Sequence, residues 1–201
     1  MANATNYWGL RPVKHIDGSP WNGLTEKCYI AATYGTAMYI GDNVMINNAA
    51  ADADDTALYC SVERAGLTDG LLQYGVITSF DDHEDCSKVY NPTSTERYIN
   101  VCVDPSVVYH VRDDGSGTPA NTWHFNNCEL AAGTSSTVTG LSGIGILGSS
   151  VTHNQSLPFL ILRRANLPDN ELADNAIWEV MINCHQLHGG ATGRILGVEK
   201  A

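Results

Sequence analysis

Apolar and polar side chains alternate with a period of two in several short windows of the chain, and almost nowhere with the period of a helix. Trp178, Val180, Ile182 and Cys184 alternate with Glu179, Asn183 and His185. Ile99, Val101 and Val103 alternate with Asn100, Cys102 and Asp104; Pro105 interrupts, and Val107, Tyr109 and Val111 then alternate with His110 and Arg112. Phe159, Ile161 and Arg163 alternate with Leu160, Leu162 and Arg164, a run that is apolar on both sides until its basic end. Further strands are predicted at 27–31, 37–40, 43–46, 58–62 and 75–80, with Gly41-Asp42 turning between the second and third. Asp113-Asp114-Gly115-Ser116-Gly117 and Leu167-Pro168-Asp169-Asn170-Glu171 read as turns, and 133–150 as a Gly/Ser/Thr-rich connection. Residues 173–177 have room for one helical turn at most.

This pattern predicts an all-β fold: a sandwich, a jelly roll or barrel-like lobes with an extended N-terminal arm. The expected organisation is an arm over 1–24, a first β lobe over 25–104, a second over 105–188 and a flexible tail over 189–201. The two lobes meet near Asp104 and can equally close as one domain. The arm is read from Trp8, Pro12, Gly18, Pro20, Trp21 and Gly23, which leave no room for a helix. Two tryptophans on an extended segment make sense packed onto a body, where they cap a core, or onto a neighbouring subunit.

The chain has 201 residues, 11 basic and 22 acidic, for a net charge of −11 with histidine neutral. That excess of carboxylates argues against nucleic acid as a partner, since the densest basic feature is Arg163-Arg164. Hydrophobic residues at 43% spread along the whole length exclude disorder as the main state, and no apolar run approaches the ~20 residues of a membrane span. The first residues carry neither the basic nor the apolar region of a secretion signal, which fits a protein made in a reducing cytoplasm.

Six cysteines, Cys28, Cys60, Cys86, Cys102, Cys128 and Cys184, contain no C-x-x-C pair. Structural zinc needs closely spaced ligand pairs, so the expectation is free thiols packed as small hydrophobes. The acidic run 81–85 with His83 could hold a hard cation, but it lacks the spacing of a calcium loop and reads as a solvated connection. Cys184-His185 invites a thiol nucleophile; in a strand the two would face opposite ways, giving a core cysteine beside a surface histidine. No G-x-S-x-G, phosphate loop or H-E-x-x-H is present, and no catalytic set, cofactor site or metal site is expected.

Three segments together resemble a family. Gly9-Leu10-Arg11-Pro12-Val13-Lys14-His15 is followed by Gly18-Ser19-Pro20-Trp21-Asn22-Gly23; the middle holds Val103-Asp104-Pro105-Ser106-Val107-Val108-Tyr109; and Leu167-Pro168-Asp169-Asn170-Glu171 runs on to Ala176 through Gln186. The layout resembles small virion proteins of tailed bacteriophages that decorate or cement the capsid. The resemblance implies a protein outside the shell of the major capsid protein, commonly a homotrimer, that stabilises the head by bridging capsomers. Trp8, Arg11, Pro12 and Trp21 are the expected anchors. His110 and Arg112 depart from the acidic or amide residues expected after the Asp-Pro strand, and would alter the contact surface if exposed.

Two other classes stand beside this one. A tail or surface β-domain recognising host glycans would use tyrosines such as Tyr34, Tyr39 and Tyr59 for sugar stacking. A small hydrolase would rest on Cys184, His185 and the acidic run.

Overall fold

The computed structural model describes residues 3–47, 58–68, 70–81 and 88–187, and folds them as an all-β, sandwich-like assembly of antiparallel sheets. Residues 48–57, the acidic run beyond Asp81, Cys86, His188 and the tail from Gly189 lie outside the described residues.

The strand β1 (Arg11–His15) joins a different sheet from the five that follow it. These are β2 (Glu26–Ile30), β3 (Asn43–Ile46), β4 (Val62–Arg64), β5 (Gly75–Phe80) and β6 (Arg97–Cys102), which form a first sheet in the order β2-β6-β5-β3-β4. The second sheet is built from β7 (Val107–Arg112), the two-residue β8 (Asn127–Cys128), β11 (Phe159–Arg164) and β12 (Ile177–Ile182), with β1 at its edge in the order β1-β7-β12-β11-β8. Between them, β9 (Leu130–Ala131) and β10 (Gly145–Ile146) form a short ladder.

The period-2 windows are the strands of both sheets. On the second sheet Val107, Tyr109, Val111, Phe159, Ile161, Trp178, Val180 and Ile182 share one fully buried face. Each large side chain there contributes roughly 1.5–3 kcal/mol by leaving water. The first sheet is buried on both faces where β5 meets β6. Val76, paired with Cys102, packs into the core of the second sheet, while the next pair, Ile77 and Val101, packs with Cys28, Ile30, Met38, Val44 and Ile99. One sheet thus separates two cores, which is why the adjacent Val76 and Ile77 are both apolar.

The N-terminal segment is placed on its own body. Asn3 donates to the carbonyl oxygens of Glu171, Ala173 and Asp174 and accepts from Glu171 N–H. Tyr7 donates to Asn175 Oδ1 at 3.0 Å, and Leu10 is 2% exposed in the main core. Pro12 sits in β1 because an edge strand tolerates a missing donor. The reading of 1–24 as an arm missed this strand, since Pro12 and the flanking glycines mask its alternation.

Elsewhere the differences are local. Residues 37–40 supply only the isolated bridges of Met38 and Ile40, and residues 173–177 turn without forming a helix. The strand expected at 58–62 begins at Val62 and runs to Arg64.

On the outer face of the second sheet, register aligns Arg11, His110, Glu179 and Arg163 in one row across β1, β7, β12 and β11. Glu179 is buried there and accepts from Lys14 Nζ and from Arg163 Nε, both at 2.7 Å, with His110 Nε2 at 3.7 Å.

Candidate functional site

Two backbones cross where the sheets meet the N-terminal segment. Gly9 (φ +73°) and Gly41 (φ +92°) lie against each other, and Leu10 N–H donates to the Gly41 carbonyl at 3.0 Å. A β-carbon on Gly9 would stand 2.6 Å from Gly41 O, and one on Gly41 would stand 2.5 Å from Trp8 O. Only glycine serves at both places. A third strand of chain joins them: Ile40 pairs with Leu141, and Ser142 donates its hydroxyl to the buried Asp42 at 2.5 Å. Burial pushes the Asp42 carboxyl above its ordinary value, against the pull of Arg64, whose Nη2 lies 4.0 Å away.

This junction holds open a cleft of about 280 Å³ lined by Trp8, Leu10, Arg11, Pro12, Trp21, Ile40, Ile77, Thr78 and Leu141. All four residues expected to be anchors are in its wall. Trp21 packs against the main core while part of its ring stays accessible, and Arg11 is exposed. Trp8 lies over Arg112, whose guanidinium carbon is 4.6 Å from the ring centroid. Arg112 itself is 6% exposed and donates to Asn6 O at 3.0 Å and Asn175 O at 2.6 Å. It therefore supports the cleft from beneath and offers little contact surface of its own.

Both indole N–H groups are buried without a hydrogen-bond acceptor, apart from the sulfur of Cys102, a weak one, toward which Trp21 turns. The remaining walls are the apolar Leu10, Pro12, Ile40, Ile77 and Leu141 with the polar Arg11 and Thr78. Chemically the cleft can take an extended segment with a small apolar side chain packed against the indole rings, with Arg11 at its mouth.

A second cleft of about 620 Å³ shares Leu141 and is lined by Thr5, Asn6, Tyr7, Gly133, Thr134, Ser136 and Thr139. Its hydroxyl and amide groups carry no formal charge. It was not foreseen, because its two walls come from residues about 130 positions apart.

The other residues singled out in the sequence are scattered. Tyr34 accepts from Arg64 N–H, Tyr39 stacks on Tyr90 at 5.1 Å, and Tyr59 meets Tyr98 edge-on at 5.4 Å, so each has its own partner. Cys184 is buried and donates to the carbonyl oxygens of Ser156 and Leu157. His185, expected at the surface, is also completely buried: it follows the last residues of β12, aligns with Gln73, and its Nδ1 accepts from Leu187 N–H at 3.0 Å. The alternation of β12 ends at Asn183, so the surface expected for position 185 is lost. Asp81 holds Lys27 at 2.6 Å, and among the described residues no group of three or more His, Cys, Asp or Glu is placed to hold a metal ion. Nor is any described helix long and apolar enough to cross a membrane.

Comparison with protein-family models, curated proteins and solved structures gives no match.

Proposed function

We propose that the protein is a structural virion component that binds the outside of the major capsid protein shell and stabilises the head by bridging capsomers, acting as a homotrimer. The observation that carries this reading is the cleft formed by Trp8, Arg11, Pro12 and Trp21 at the seam between the sheets. It is a preformed recess with aromatic and Arg walls, the composition found where protein partners anchor. Its floor is fixed by the Gly9–Gly41 crossing, so little ordering cost falls on this partner. The layout of the three sequence segments supports the same reading. The bound element would be an extended segment of the shell protein, and repetition by symmetry would turn modest contacts into a durable clamp.

The test is mass spectrometry of purified particles of the encoding phage. The protein is expected in many copies, and particles lacking it are expected to burst at lower temperature; absence from purified particles would sink the proposal. Trp8→Ala and Trp21→Ala are each expected to weaken binding to stripped shells roughly 30-fold, equivalent to about 2 kcal/mol. Melting curves of the free variants separate lost contact from lost folding.

The uncharged, hydroxyl-lined cleft at Thr5, Tyr7 and Ser136 favours a second reading, a β-domain that recognises host glycans. Saturable binding on a glycan array, together with low copy number at the tail, would favour it over the first.

A further inference from the structure

We propose that Cys28 and Cys60 are a redox pair that closes to an intramolecular disulfide on meeting a hydroperoxide, with Cys60 the attacking sulfur and Cys28 the resolving one. The two lie 32 positions apart in the chain, yet their sulfurs are 3.2 Å apart. The backbone makes them neighbours. Tyr29 N–H donates to the Cys60 carbonyl at 3.0 Å, and Tyr29 aligns with Ser61 in a parallel bridge, so the preceding residues on both strands stand side by side. A disulfide of about 2.05 Å requires the sulfurs to approach by roughly 1.2 Å (3.2 − 2.05), within reach of side-chain rotation.

The surroundings assign the roles. Cys28 has no exposure and Cys60 is partly exposed, so an oxidant reaches Cys60 first. Polar contacts continue from the pair toward a carboxylate: Tyr74 Oη lies 3.8 Å from Cys60 Sγ as acceptor and itself donates to Glu26 Oε2 at 3.0 Å. The hydrogen bond from Cys28 lowers the pKa of Cys60, with Tyr74 adding to it, and the same pairing together with burial raises that of Cys28. A thiolate therefore forms at the accessible sulfur and a thiol persists at the buried one.

The proton of Cys60 passes to Tyr74 as the Tyr74 proton moves to Glu26. The thiolate then attacks one oxygen of hydrogen peroxide; an S–O bond forms, the O–O bond breaks, and the departing hydroxide takes the proton back as water. Cys28 Sγ attacks Cys60 Sγ, the S–S bond forms, and the hydroxyl leaves with the Cys28 proton as a second water. Two thiols lose one electron each and the peroxide gains two. Cys102, Cys128 and Cys184 are fully buried and serve as internal controls.

The experiment is a non-reducing peptide map of the intact protein after brief treatment with hydrogen peroxide and alkylation of the remaining thiols. The expected result is a linked Cys28–Cys60 peptide lighter by two hydrogens, four of six thiols still alkylated, and a melting temperature higher by roughly 5–10 °C. The proposal is overturned if both residues remain alkylated, or if Cys60 is carried to sulfinic acid while Cys28 stays free. In Cys28→Ser the Cys60 sulfenic acid should be trapped by dimedone; no adduct there would overturn the assignment of the attacking sulfur. Tyr74→Phe, confirmed folded by circular dichroism, should slow disulfide formation at least about 10-fold; an unchanged rate would remove the relay.

Discussion

The crossing of Gly9 and Gly41 makes single atoms consequential. Each glycine adopts a positive φ and each faces the other's backbone, so strain and collision add. Gly41→Ala is expected to cost about 3 kcal/mol, seen as a fall of roughly 6–12 °C in melting temperature, and to disturb Trp8 because the new methyl meets its carbonyl. Differential scanning calorimetry checks the first effect and tryptophan fluorescence the second. The glycines are conspicuous in the sequence, but their partnership is not. Gly41 is 32 positions from Gly9, and Asp42 is 100 from the Ser142 that shields it, so no local window contains either contact. The same holds for Cys28 and Cys60, which are unremarkable as sequence and adjacent as sulfurs.

Strands were legible where one face is apolar and the other polar. β6, β7 and β12 were found for that reason, β11 as a run apolar on both sides, and β5 as a short extended segment ahead of the acidic run. β1 was not, because Pro12 breaks its alternation and its core contact comes from the preceding Leu10. The row of Arg11, His110, Glu179 and Arg163 needs four registers at once and is invisible in any one strand. Its chemistry makes the second sheet sensitive to acid. Burial pushes the Glu179 carboxyl up, but the hydrogen bonds of Lys14 and Arg163 outweigh it and leave the folded pKa below the ordinary 4.5. A depressed carboxylate contributes stability that is complete above the unfolded value and is lost as pH falls through the folded one. His110 acts in the same direction at higher pH. Burial holds it below 6.5, so the unfolded chain takes up that proton first as pH drops. Asp42 and Asp113, raised by burial, act in the opposite sense, so the informative comparison is between variant and parent. Glu179→Gln is expected to cost about 1.5–3 kcal/mol at pH 7, and the gap between the two melting curves should narrow as pH falls below 4.5. A gap that is constant from pH 7 to pH 3.5 would refute this account.

For the molecule as a whole, the all-β class could be read from periodicity. Among the described residues the first sheet's strands lie between Glu26 and Cys102, while the second sheet combines β1 with strands from Val107 onward. The candidate cleft was legible as four residue types and not as a shape, since Ile40, Ile77 and Leu141 complete it from other parts of the chain. If the protein works as a trimer, sedimentation equilibrium of the free chain should return three times its mass at micromolar concentration, whereas a single-chain mass would show that the free chain does not form the trimer by itself.

The placement of β1 also orders events during synthesis. Every strand of the first sheet has left the ribosome once Cys102 has emerged, so that sheet can form on a growing chain. β1 is made before any of them, yet its partner β7 follows β6, and the remaining strands of its sheet end at Ile182. Until then Leu10 and Trp21 lack the complete second-sheet core on which they pack. β1 is thus closed by long-range pairing, and the cleft that it walls is completed only once Leu141 has been made.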